Sequence, residues 1–108
     1  MSNLRDQVIA ITLEEGEAFQ CGLWEVLWEL NTISPDIPLE ERLEFSISIV
    51  QELLISNKIR LLWGVWGKDV YDKIESLEEC LTLIQDDKYW DPTKTDIQIY
   101  YETIQNTD

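Results

Sequence analysis

The fold of this 108-residue chain is decided by residues 38–66, PLEERLEFSISIVQELLISN followed by KIRLLWGVW. The first part spaces apolar side chains three or four residues apart, as on one face of a helix. These side chains are Leu39, Leu43, Ile47, Val50 and Leu54. The second part alternates, with Ile59, Leu61 and Trp63 on one side, as in a strand with one buried face. The stretch therefore predicts a long core helix, a tight turn and a strand.

The spacing of apolar residues also predicts the elements in the rest of the chain. Apolar stripes predict helices at 3–14 and 18–31, with Gly16 as the break between them. A third stripe predicts a short helix that begins after Ser76, whose hydroxyl is placed to cap it. Alternation predicts a second strand at 97–104.

The segment 68–75 is polar and predicts a connector. The predicted order is helix, helix, helix, strand, short helix, strand. We therefore expect a mainly helical α+β fold in a single domain, residues 1–108. Its three helices are followed by a two-stranded antiparallel ribbon, which must pack on the helices because such a ribbon is marginal alone.

The charge of the chain narrows the choice of partner. There are 22 acidic and 8 basic residues, a formal net charge of −14. This balance argues against nucleic acid and against anionic membranes, which both bind through Lys and Arg. It favours a basic protein partner, although acidity also serves simply to keep a small protein soluble. No segment resembles a signal peptide or a membrane span, so we expect a cytoplasmic protein.

The chemistry of the chain does not favour an enzyme. There is no histidine, which removes the commonest general base and a common metal ligand. Neither a phosphate-binding loop nor a calcium loop is present, so we expect no cofactor and no metal. Cys21 and Cys80 both lie in apolar helical patterns, and we expect buried free thiols; the sequence leaves a disulfide open.

Aromatic and acidic residues near the ends of the predicted strands form the candidate site. The five tryptophans are notable because this residue anchors both cores and interfaces. We expect Trp63 in the core and Trp24 and Trp28 at the edge of the helical core. The candidate partner-binding residues are Trp66, Asp69, Tyr71, Asp72, Asp86, Asp87, Tyr89 and Trp90. In the simpler interpretation these rings close the ends of the core and the carboxylates are solvated.

A resemblance to a known family rests on two runs. IVQELLISNKIRLLWG (49–64) resembles the last helix and first wing strand of a winged-helix domain, and IQIYYETI (97–104) resembles the returning strand. The layout is also similar to that of small acidic bacterial proteins. The resemblance implies a winged-helix-like fold over about 3–104. Winged-helix proteins usually bind DNA through a basic recognition helix, whereas residues 38–57 contain four glutamates and Arg42 as their single basic residue.

Two functional hypotheses follow. In the first, the chain is a non-catalytic interaction protein that masks a basic partner, similar in composition to bacterial immunity proteins that inhibit secreted nucleases. In the second, it is a divergent winged-helix regulator or adaptor, in dimeric form, that uses the fold for protein contact. In either case, an exposed functional face of the long helix would carry Glu40, Glu44 and Glu52.

Overall fold

The computed structural model describes residues 3–65 and 67–105. These residues form an α+β fold with four α-helices, one 3-10 helix and four strands in an antiparallel sheet, and 53% of them are helical. The mainly helical α+β class is thereby confirmed. The two-stranded ribbon is wrong, because the sheet has four strands.

Within the described residues the elements follow one another as helices, strands and one 3-10 helix. In chain order they are α1 (Leu4–Ala18), β1 (Cys21–Gly22), α2 (Leu23–Ile33), α3 (Leu39–Ile55), β2 (Ile59–Val65), β3 (Tyr71–Lys73), α4 (Leu77–Leu83), the 3-10 helix (Asp87–Trp90) and β4 (Ile97–Thr103). In this part of the chain, no helix combines the length and apolarity that crossing a bilayer requires.

The centre of the sheet is the antiparallel pairing of β2 with β4, as the alternation of both runs predicts. The pairing is continuous from Ile59 opposite Thr103 to Val65 opposite Ile97. The strand order is β1-β4-β2-β3, so the two long strands lie inside and the two short ones at the edges. The predicted pairing of these two strands is therefore confirmed, although each also pairs with a second strand.

Neither edge strand was predicted from the sequence pattern, because both are short. β1 has two residues and lies within the predicted helix 18–31, and β3 has three residues within the predicted connector 68–75. Two or three residues cannot display an alternation of period two. These strands form because they pair with β4 and β2 in the folded protein, and their local sequence pattern does not specify them.

The main core lies between the helices and one face of the sheet, which we call the inner face. Leu61, Ile99 and Tyr101 point to this face and are buried, together with apolar residues of α1, α2 and α3. Tyr101 donates its hydroxyl hydrogen bond to Thr12 O in α1 over 3.2 Å. This contact fixes α1 against β4 at the centre of the core.

The opposite, outer face of the sheet has a small aromatic cluster of its own. Trp24, Leu62 and Tyr100 are buried there, and Tyr71 packs against them. The ring of Trp24 lies across Gly22, where an added Cβ would come within 2.1 Å of it. Trp24 was expected at the edge of the helical core and instead covers the outer face of the sheet.

Gly16 does not break the first helix, which continues to Ala18. The residue is buried, and a Cβ added to it would lie 2.4 Å from Thr103 Oγ1 and 2.9 Å from the Tyr101 ring. The missing side chain lets α1 approach β4 closely. Packing with a strand 85 residues later therefore overrides the low helix propensity of glycine.

We expect Gly16→Ala to lower the free energy of unfolding by about 1–2 kcal/mol, because overpacking outweighs the gain of roughly 1 kcal/mol in helix propensity. Chemical denaturation followed by circular dichroism measures this. Ala10→Gly, at an exposed position of the same helix, is the control and should cost about 1 kcal/mol. A more stable Gly16→Ala protein would show that α1 and β4 do not approach as closely as described.

Candidate functional site

A tight turn joins β2 to β3 at one end of the sheet. Lys68 N donates a hydrogen bond to Val65 O over 3.0 Å, and Gly67 has a φ of 82°. This left-handed conformation strains residues with a Cβ, so glycine suits the turn. The turn brings Val70 beside the end of β2, where both valines line the same concavity.

We name this concavity, of about 360 Å³, the hairpin patch. It is lined by Trp63, Gly64, Val65, Lys68, Val70, Asp72 and Ile97. Helices do not cover this end of the inner face, and Val65, Val70 and Ile97 are 38%, 69% and 54% exposed. Exposed apolar side chains gathered in one concave surface are typical of a protein-binding site.

Acidic residues lie at the hairpin patch and next to it in the sequence. Asp72 lines it, and Asp69 and Asp96 are each next in sequence to one of its lining residues. All three are exposed, and within the described residues none of their carboxylates has an ion pair or hydrogen bond. Lys68 is the one cation among the lining residues. The patch therefore offers unpaired negative charge to a cationic partner.

The predicted acids of the 3-10 helix are in a different electrostatic situation. Asp86 forms an ion pair with Lys88 over 3.6 Å and also accepts a hydrogen bond from the Lys88 amide. Asp87 forms an ion pair with Lys94, also over 3.6 Å. Both carboxylates are partly neutralised by nearby lysines, and Asp86 also caps the 3-10 helix. The structure does not bring them into the hairpin patch.

The two aromatic residues of the 3-10 helix face inward. The Tyr89 ring meets Trp63 edge to face, with centroids 5.6 Å apart, and so supports the back of the hairpin patch. Trp90 is only 3% exposed, and its Nε1 donates to Ile84 O over 2.9 Å. Trp90, predicted as a partner-binding residue, is therefore buried in the core. Because its ring nitrogen has a hydrogen-bond acceptor inside the core, the large apolar ring can be buried without leaving a polar group unpaired.

The remaining predicted residues divide between the two faces of the sheet. Tyr71 points to the outer face, where its ring lies 5.0 Å from that of Tyr100, and does not line the patch. Trp66 lies outside the described residues. Of the predicted residues, Asp72 thus lines the hairpin patch, and Asp69 lies between two of its lining residues in the sequence.

Sequence reasoning missed the apolar part of the patch. Val70 is an isolated apolar residue in a polar segment, and this was the one signal that could have drawn attention to it. Ile97 lies on the same face of β4 as the buried Ile99 and Tyr101, yet it is 54% exposed. Periodicity predicts which way a side chain points, whereas exposure depends on how far the helices extend over the sheet.

A second concavity, of about 450 Å³, lies between α2, α3 and the segment after the 3-10 helix. Trp28 and Leu39 are its exposed apolar residues. Its charges are mixed, because Arg42 and Lys94 line it together with Asp87 and Asp91. Asp87 is ion-paired with Lys94 here, whereas Asp72 of the hairpin patch has no ion-pair partner among the described residues.

Carboxylates of α1 and α2 form an acidic cluster beside β1. Burial raises the pKa of Glu25, and the neighbouring Glu15 and Glu29 raise it further, although the hydrogen bond from Gly22 N opposes them. Burial and Glu15 likewise raise the pKa of Glu29. The charged form of Glu25 is therefore disfavoured in the folded state even though it caps α2.

Cys21 and Cys80 are buried free thiols, as expected. Burial, helped by Glu25, raises the pKa of Cys21 to about 11, and burial also raises that of Cys80. Among the described residues, no group of three or more Cys, Asp or Glu residues is arranged to hold a metal ion. Comparisons with models of protein families, with curated proteins and with solved structures found no match.

We expect Glu25→Gln to raise the free energy of unfolding at pH 7 by roughly 0.5 kcal/mol, because it keeps a capping acceptor and removes a half-buried charge. A raised folded pKa means that wild type gains stability as the pH falls toward 4.5. The variant should lose part of this gain, as thermal melts from neutral to acidic pH would measure. Glu25→Ala, which removes the cap, should cost about 1 kcal/mol. A Gln variant less stable than wild type at pH 7 would contradict the pKa assignment.

We expect both thiols to react with Ellman's reagent at pH 8 at least about 100-fold more slowly in the folded protein than in guanidinium chloride, because they are buried and protonated. The raised pKa of Cys21 also predicts that stability falls as the pH rises from 9.0 toward about 11. Cys21→Ala should weaken that fall. Rapid labelling of the folded protein would argue against the described burial.

Proposed function

We propose that this chain is a non-catalytic protein-interaction domain that binds a basic protein through the hairpin patch. The observation that carries the proposal is the union of exposed Val65, Val70 and Ile97 with the unpaired carboxylate of Asp72 in one concave surface. Apolar contact supplies affinity, and the carboxylate, in a chain of net charge −14, selects a cationic partner and repels anionic ones.

The whole chain supports the same choice of partner. A net charge of −14 speeds association with a basic protein and slows approach to phosphate backbones or anionic lipids. An immunity or inhibitor protein that masks the cationic groove of a nuclease, in the cytoplasm, is the specific form of this proposal. The analogy rests on acidity and on aromatic content, since such proteins share no single fold.

The second candidate is a divergent winged-helix regulator or adaptor that works as a dimer. It is supported by the order of three helices followed by β2 and by the antiparallel return of β4. Its dimer contact would use the second concavity, where Trp28 and Leu39 are exposed. Trp24 is buried within the chain and is not available for this contact.

Binding of ribonuclease A, a basic nuclease used as the probe, tests the first candidate. We expect calorimetric titration to show an affinity that falls at least tenfold from about 50 mM to about 300 mM NaCl, because salt screens exposed charges. Ovalbumin, an acidic protein, should not bind. Salt-independent binding, or equal binding of both probes, would contradict the electrostatic basis of the proposal.

A matched pair of variants tests the location of the site. Ile97→Gln in the hairpin patch should weaken ribonuclease binding about tenfold, because an apolar contact is lost without a change in charge. Ile55→Gln is the control, since Ile55 is similarly exposed but lies at the end of α3. Equal effects of the two substitutions would place the site elsewhere. Concentration-dependent dimerisation that is abolished by Trp28→Ala, without ribonuclease binding, would favour the second candidate.

A further inference from the structure

The hairpin patch continues into a free sheet edge. β3 pairs with β2 on one side, and among the described residues no strand lies on its other side. Such an edge presents unpaired backbone N–H and C=O groups, to which another extended segment can bind.

The hydrogen-bond phase shows which backbone groups of β3 are free. Ile74 N donates to Leu61 O over 3.0 Å, so positions 74 and 72 exchange hydrogen bonds with β2 in this antiparallel ladder. The hydrogen bonds of β2 are consistent with this pattern. Ile104 N donates to Lys58 O, so the backbone N–H and C=O groups of the even-numbered residues of β2 point toward β4, and those of the odd-numbered residues point toward β3. The N–H and C=O groups of Tyr71 and Lys73 consequently point away from the sheet.

The side chains along this edge determine what an added strand would carry. Asp72 points to the inner face, because it lies directly opposite Trp63. Val70 lines the patch on the same face. In an added antiparallel strand, the residue opposite Asp72 would lie in a close, non-hydrogen-bonded pair, where opposite charges interact well. The residue opposite Val70 would contact apolar side chains.

We propose that the edge of β3 accepts an extended segment of the basic partner as a fifth, antiparallel strand. The segment places an arginine or lysine opposite Asp72 and an apolar side chain opposite Val70, and it bonds to the backbone of Tyr71 and Lys73. This inference rests on the proposed function, since it specifies how the partner of the hairpin patch is held.

Charge decides between a basic partner and a second copy of the chain. A symmetric antiparallel pairing of two β3 strands centred on Asp72 would put two carboxylates directly opposite each other, which is unfavourable. Two copies also carry −14 each. A basic segment removes both sources of repulsion. It also supplies an ion-pair partner for the Asp72 carboxylate, which has none among the described residues.

A pair of substitutions at one position tests the strand addition. Lys73→Pro removes an outward N–H that β2 does not use, and proline is tolerated at such edge positions. Lys73→Ala removes the same side chain and keeps the N–H. With folding checked by circular dichroism, we expect ribonuclease A binding to weaken more than about tenfold for the proline variant and less than twofold for the alanine variant.

Synthetic peptides provide a second test that does not depend on the folding of a variant. The probe is a peptide of alternating valine and threonine with one central arginine, so that valines and arginine share a face. N-methylation of the two threonines beside the arginine should abolish binding, because their N–H groups would bond to β3. Methylation of the arginine amide should preserve it. A central glutamate should weaken binding, and bound peptide should protect the Tyr71 and Lys73 amides from hydrogen exchange.

The outcomes separate the two proposals. Loss of binding for Ile97→Gln and Lys73→Pro, with Lys73→Ala unaffected, supports strand addition. Loss for Ile97→Gln alone, together with equal binding of the two methylated peptides, overturns strand addition and leaves the hairpin patch as a side-chain site. Failure of wild type to bind either ribonuclease A or the peptide overturns both proposals.

Discussion

The antiparallel pairing of β2 with β4 is the constraint on which the rest of the structure depends. It joins the strand that follows the longest helix to the last strand of the chain, from Ile59 opposite Thr103 to Val65 opposite Ile97. These two strands contact both edge strands and the helices α1, α2 and α3. β1 and β3 add to the two sides of this pair, α1 packs on β4 through Gly16, and Trp24 closes its outer face. Because the pairing joins distant parts of the chain, its formation has to offset the entropy of closing a long loop.

Local pattern was sufficient for the elements that carry enough residues to show a period. The helix over 39–55 and both long strands were predicted, as was the cap at Ser76, because each depends on neighbours in sequence. Two-residue and three-residue strands have no readable period. Gly16 was wrongly predicted to end the first helix. The sequence shows the low helix propensity of glycine, but it does not show the tight contact with β4 that requires a glycine.

The sequence predicted the chemical character of the candidate site better than it predicted which residues form the site. Acidic and aromatic residues near the ends of the strands were identified, and of these Asp72 lines the hairpin patch. Trp90, by contrast, is a core residue whose ring nitrogen finds a carbonyl acceptor. Composition cannot separate these cases, since tryptophan suits a core and an interface equally well. The separation depends on where the helical layer stops, which is a property of the assembled fold.

The sheet is covered unequally along its length. Near Leu61 and Tyr101 the central strands are buried on the inner face, and the aromatic cluster of Trp24 covers the outer face close by. At Val65 and Ile97 the inner face is open. Local opening therefore costs least at the hairpin end and most at the centre, so amide exchange should follow a gradient along the same two strands. Substitutions at the open end should accordingly change global stability less than substitutions at the centre of the same strands.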